Sequence, residues 1–293
     1  MIVTHTSPDF DAIGYVWLMR RFGGAGDMPV TFVNTGSPDP AVLASAWSVG
    51  DTGRVYDPAT RRFDHHQFPG HASNETCATR QAYDWLCATQ GATLELTAIR
   101  PIIELIFRGD TGSPLAGADT SRTVGIHALL SAQKAKHGSD ADLLAYGGAL
   151  LDDLADVAIM RARGRDQLEQ YTTYRSNDGL IVALDGAPHS VTAAAFDAGA
   201  VLVFFASEDR GSFARGVQRA AVEHGQPHVG VLIDLVATST PHIDMITELS
   251  HWFLHPAGFF AGRGTAKAPC PTPMRDGLTI SMIAAAVDGV WSR

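Results

Sequence analysis

The chain opens with short apolar runs broken by polar and glycine-bearing punctuation. Ile2-Val3-Thr4 predicts a strand, residues 12–22 a helix, residues 30–33 a second strand and residues 41–45 another short helix. Trp47-Ser48-Val49 leads into Asp51, and Val55-Tyr56 follows a glycine turn. Such β/α alternation is the mark of a parallel sheet with covering helices. The periodicity becomes helical over 78–107 and 120–136, and again over a long run at 140–174. Arg175-Ser176-Asn177-Asp178-Gly179 is turn chemistry. Beyond it, apolar runs at 180–184, 201–205 and 229–235 predict a second β-rich block, and a proline-rich stretch at 268–273 precedes a last helix at 281–291. The pattern therefore predicts an α/β protein of two domains. Residues 1–174 form a parallel-sheet domain that includes a connecting helix, and residues 175–293 form a smaller α/β domain with a cleft between the two.

Composition narrows the classes. The 293 residues are 45% hydrophobic and 18% charged, enough for a substantial core and against global disorder. No apolar run approaches the ~20 residues of a membrane helix, and the start Met1-Ile2-Val3-Thr4-His5 has neither a basic stretch nor a cleavage site. Cys77, Cys87 and Cys270 form no CxxC pair, which argues against a disulfide scaffold or a structural zinc site. The expectation is a cytoplasmic protein with no membrane partner. The balance of 22 basic against 31 acidic residues, a net of −9, counts against non-specific binding of long DNA. Of those acids 24 are Asp and 7 Glu, and several Asp sit at spacings that chemistry would want.

Four acidic or imidazole clusters fall where strands should end: His5-x3-Asp9-x-Asp11, the lone Asp51, Asp64-His65-His66, and Asp110-Thr111-Gly112. In open α/β sheets, ligands bind beyond the carboxyl ends of strands, where distant residues converge. Carboxylates packed this densely repel one another unless cations neutralise them. An oxygen-rich set with some imidazole suits two Mn²⁺ ions, with Mg²⁺ as the alternative.

His5-x3-Asp9-x-Asp11-Ala-Ile-Gly, Asp51, Asp64-His65-His66 and Asp110-Thr-Gly resemble, in order and spacing, the four motifs of the DHH phosphoesterase superfamily. The resemblance implies that His5, Asp9 and Asp51 hold one metal and that Asp11, Asp51, His65 and Asp110 hold the other, with Asp51 bridging. It makes His66 and Asp64 the catalytic pair. His66 faces the substrate phosphate, and Asp64 orients a histidine. The activity implied is hydrolysis of phosphodiester bonds by a two-metal-activated hydroxide. A narrower likeness to the MYG-type branch rests on Asp51-Thr-Gly-Arg-Val-Tyr56-Asp-Pro58, Arg62-Phe-Asp-His-His-Gln67 and His255-Pro-Ala-Gly258-Phe-Phe-Ala-Gly262. That branch implies 3′→5′ exonuclease action on short oligonucleotides. The first motif here has the general superfamily form, and Ala257 stands where the branch has Ser.

The second domain is expected to contact substrate through His255, Gly258, Gly262, Arg263 and Gly264, with glycines allowing close backbone approach. Arg210, Arg215 and Arg219 are read in a helical context, in which the pairs Arg215/Arg219 and Ser212/Arg215 would share one face. Two other readings stay open. One is a small-molecule phosphatase acting on pyrophosphate or a 3′-phosphonucleotide. The other is a catalytically silent nucleotide-binding regulator. A homodimer is an expectation that the resemblance alone carries.

Overall fold

A computed structural model describes residues 1–35, 38–52, 55–66, 75–112, 125–136, 138–207, 213–218, 229–239, 245, 248–256, 260–263 and 277–291. The chain divides into two compact units, Met1–Ile159 and Met160–Arg293.

The first unit carries a four-stranded, all-parallel sheet in the order β2-β1-β3-β4, built from β1 (Ile2–His5), β2 (Val30–Val33), β3 (Ser48–Gly50) and β4 (Arg62–Phe63). Parallel strands need crossovers, and helices α1 (Phe10–Arg21) and α2 (Pro40–Ser45) lie in those connections. One face of the sheet packs Val3, Val33, Ala46 and Val49 against Met1, Val42 and Leu43. Helix α1 is buried from Phe10 through Met19, as a helix apolar on nearly every side must be. At roughly 1.5–3 kcal/mol for each large apolar side chain removed from water, that burial dominates its stability. It packs against α3 (Ala78–Gln90) and α4 (Leu94–Asp110). Those two helices replace the single helical stretch expected over 78–107. Gly91, with φ 80°, ends α3, and the Thr93 side chain caps α4 by accepting from the Leu96 N–H. Helix α5 (Ile126–Ala135) follows, and then α6 (Asp140–Tyr171), within which the division between units falls.

The second unit holds a mixed six-stranded sheet in the order β5-β6-β7-β8-β10-β9. Its strands are β5 (Thr172–Arg175), β6 (Ile181–Leu184), β7 (Leu202–Ser207), β8 (Phe213–Gln218), β9 (Phe253–Leu254) and β10 (Phe260–Arg263). The β6–β7 pairing is parallel and the others are antiparallel. Two apolar clusters form its core. One joins Ile181, Ala183, Leu202 and Phe204 to α8 (Val229–Ser239) and α9 (Ile280–Trp291). The other joins Val182, Leu184, Val203 and Phe205 to α7 (His189–Asp197).

Two expectations are corrected here. Residues 229–235 form a helix, not a strand. Val229, Leu232, Ile233 and Val236 are buried at helical spacing, a pattern that a short apolar run conceals until its length is known. Arg215 lies on strand β8, paired between Phe205 and Gly262, so the helical spacing proposed for Arg215 with Arg219 and with Ser212 does not hold. Arg210, Arg219 and the proline-rich stretch lie outside the described residues. Among the described residues no helix is long and apolar enough to cross a membrane.

Candidate metal centre

Three of the four predicted clusters do follow strands of the parallel sheet. His5 ends β1, Asp51 follows β3 and Asp64 follows β4. The fourth does not: Asp110 is the last residue of helix α4. A carboxylate at a helix C-terminus meets the negative end of the helix dipole, so this position is unfavourable for Asp on local grounds.

The side chains converge in three overlapping groups, each with donor atoms within 4.8 Å of one another: His5, Asp9 and Asp51; Asp11, His65 and Asp110; and Asp51, His65 and His66. His5 donates Nδ1–H to the Thr6 carbonyl at 2.8 Å, which leaves Nε2 facing Asp51 Oδ2 at 3.1 Å and Asp9 Oδ1 at 3.7 Å. His65 Nδ1 lies 3.6 Å from Asp110 Oδ2. Asp9 also caps α1, accepting the N–H groups of Asp11 and Ala12 at 3.0 Å.

Backbone shape supports the placement of Asp51. Its φ is 53°, a left-handed value that Asp tolerates better than most residues but that still costs free energy. Gly50 before it lies flat against Tyr15, where an added Cβ would stand 2.4 Å from the ring. The Asp51 N–H donates to the Phe63 carbonyl at 3.0 Å, tying the third-strand cluster to the fourth.

One support was not legible in the sequence, the N-terminus of α3 on Asp11, whereas the orienting role of Asp64 was expected. Asp11, fully buried, accepts the Ala78 N–H at 2.7 Å and the Thr79 N–H at 2.8 Å, so the N-terminus of α3 holds it. Asp64, also buried, accepts the Thr52 N–H through one oxygen and the His66 N–H through the other. The same Oδ1 lies 3.1 Å from His66 Nδ1, and the Gln81 amide donates to the Asp64 carbonyl. Asp64 thus orients His66, whose side chain is half exposed.

The electrostatics of this cluster run short of cations. Burial, with Asp11, Asp9 and Asp51 nearby, pushes the Asp110 carboxyl up to about 8. Burial likewise pushes Asp51 to about 6, and burial with the Asp9 charge raises Asp11. Burial alone would lower His5, but its bonds to Asp51 and Asp9 prevail and raise it to about 11. Protons thus stand where positive charge is wanted. An oxygen-rich set with two inward imidazoles has the donor chemistry that could hold a divalent cation such as Mn²⁺ or Mg²⁺.

The residues expected to contact substrate are placed as follows. Gly262 lies inside β10, paired to Arg215 on one side and Phe253 on the other. Arg263 is 1% exposed and bonds Glu248 at 2.5 Å, so its charge is already neutralised within the second unit. His255 is half-buried after β9, with its N–H donating to the Phe260 carbonyl. Gly258 and Gly264 lie outside the described residues. Compared with models of known protein families and with curated proteins, the chain matches none.

Proposed function

We propose that the first unit is the catalytic centre of a metal-dependent phosphoesterase, with two divalent cations as cofactor and Mn²⁺ as the favoured ion. The observation that carries this reading is the sharing of Asp51 between donor groups: one carboxylate, in a left-handed backbone, faces both a His5/Asp9 set and a His65/His66 set. Dense buried carboxylates cost stability unless something cationic binds them, and Asp11, Asp51 and Asp64 are all buried, so an empty role is a poor explanation for them.

His5, Asp9 and Asp51 would hold one ion, and Asp11, His65 and Asp110 the other, with Asp51 common to both. When bound, the ions supply Lewis acidity toward a phosphoryl oxygen and toward water. The remaining work falls to side chains. Its bond to Asp64 raises His66 from the ordinary imidazole value, which favours the protonated ring. Its Nδ1 is occupied by Asp64, and Nε2 is the nitrogen left to donate to a phosphoryl oxygen as charge develops there. His66 also belongs to one donor group, so metal content in its variant separates the two roles.

The favoured substrate is a short oligonucleotide shortened from the 3′ end, since a net charge of −9 suits a substrate held locally over a polymer tracked by a basic channel. The test is a time course with 5′-labelled RNA of about five nucleotides, in Mn²⁺ or EDTA, a length chosen for that charge argument. A Mn²⁺-dependent ladder shortening from the 3′ end is expected. Intact RNA alongside Mn²⁺-dependent release of orthophosphate from pyrophosphate or a 3′-phosphonucleotide would move the reading to a small-molecule phosphatase.

A further inference from the structure

Helix α5 contacts both ligand-bearing segments of the first unit, although it contributes none of the donors. Near its start the His127 ring stands edge-on to Phe10, with centroids 4.7 Å apart and planes at 80°. Phe10 lies between Asp9 and Asp11. The other side of the imidazole rests on Gly109, the residue before Asp110. A Cβ added there would come within 2.2 Å of the His127 Cε1 and 2.3 Å of Nε2. Near the end of the same helix, Lys134 Nζ donates to the Ser7 carbonyl at 3.5 Å, in the loop between His5 and Asp9. His127 Nε2 is buried with no hydrogen-bond partner among the described residues. A buried ring nitrogen without a partner is costly, so among the described residues packing, not a bond at Nε2, is what holds the ring.

Resting on the two-metal reading, we infer that His127 is a positioning residue, a wedge between Phe10 and Gly109 that sets the gap between Asp11 and Asp110. These two carboxylates come from different elements, α1 and α4, and must reach the same ion. Their mutual interaction is repulsive and holds nothing in place. A rigid ring packed between the Phe10 ring and the Gly109 backbone does so, and a glycine at 109 is what admits the ring. Supports just outside a metal's ligands commonly weigh about 10–100-fold in affinity.

The experiment is titration of the chelator-stripped full chain with Mn²⁺ alone, reading free ion by paramagnetic resonance and folding by circular dichroism. The unsubstituted chain should take up two ions. His127→Ala should keep one at near-unchanged affinity and weaken the other by about 10–100-fold. His127→Gln, which lacks the ring but retains bulk, carries the same expectation should His127→Ala fail to fold. Gly109→Ala, which drives a methyl into the ring, should weaken the same ion. Combining it with His127→Ala makes room for that methyl and should recover part of the loss, a non-additive pair. Unchanged binding of both ions by the folded His127 variants, or a double variant no better than Gly109→Ala, would overturn the wedge while leaving the two-metal reading in place. An unsubstituted chain that binds no pair of ions would remove both.

Discussion

In the second unit, Arg263 and Glu248 are buried together at 1% and 3% exposure, and each neutralises the other. In the first unit, Asp11 and Asp51 are buried at 0% and 2%, Asp110 lies close by, and among the described residues no Lys or Arg side chain pairs with them. The two units thus bury charge under different rules. A buried pair of opposite sign roughly balances its own desolvation cost, so it needs nothing from outside. A buried cluster whose carboxylates outnumber the imidazoles beside them stays folded by holding protons.

The largest effect should come from Asp51→Asn. It should remove tight binding of both ions and reduce phosphodiester turnover to background, because the shared carboxylate is gone. The same change should raise the Tm of the metal-free protein at pH 8, since Asn accepts the left-handed backbone and carries no charge to desolvate. Turnover equal to the unsubstituted chain would sink the shared role. Glu248→Gln, the counterpart in the second unit, should instead destabilise by about 3–5 kcal/mol in denaturant titration, because it removes the carboxylate charge paired with buried Arg263. Metal binding should not change, and a loss below about 1 kcal/mol would place the pair with ordinary surface bridges.

A smaller effect is expected at His66. His66→Ala should retain both ions by elemental analysis and lower kcat by about 10²–10³, the usual weight of one donor to developing charge. Loss of an ion would make His66 a ligand instead. The smallest effect is a slope with pH. Folded Asp110 titrates at about 8 against an ordinary 3.8, so between those values the folded chain holds a proton that the unfolded chain has released, and stability falls as pH rises. His5, at about 11 against 6.5, adds the same sign from 6.5 upward. The Tm of the metal-free protein should therefore decline from pH ~5 to ~8, with a shallower decline in saturating Mn²⁺. A flat metal-free profile would contradict the account of unpaired carboxylates.

How far the sequence foretold this depended on the range of the interaction. Strands β1, β2 and β3 were legible to within a residue or two, because β-branched runs bounded by Gly, Pro and Asp announce themselves locally. Strand β4 was expected only from the cluster that follows it, since Arg62-Phe63 is extended by pairing with β3 rather than by its own propensity. The run at 229–235 was misread because strand and buried helix share the same apolar composition over so short a length. His5, Asp9, Asp11, Asp51, His65 and Asp110 stood out as unusual carboxylates and imidazoles at unusual spacings, and the fold brings all six into shared groups. What holds them did not stand out. The α3 N-terminus on Asp11, the His127 ring on Gly109 and the Glu248 carboxylate on Arg263 are long-range contacts with no local signature.

The central claim is that the first unit holds two cations about one shared carboxylate. Its most direct test is a crystal structure of the Mn²⁺-soaked protein with data collected at the manganese absorption edge. The account predicts two anomalous peaks, one among His5, Asp9 and Asp51 and one among Asp11, His65 and Asp110, both touching Asp51. Density free of anomalous signal at Asp51, in crystals grown without competing chelator, would contradict it.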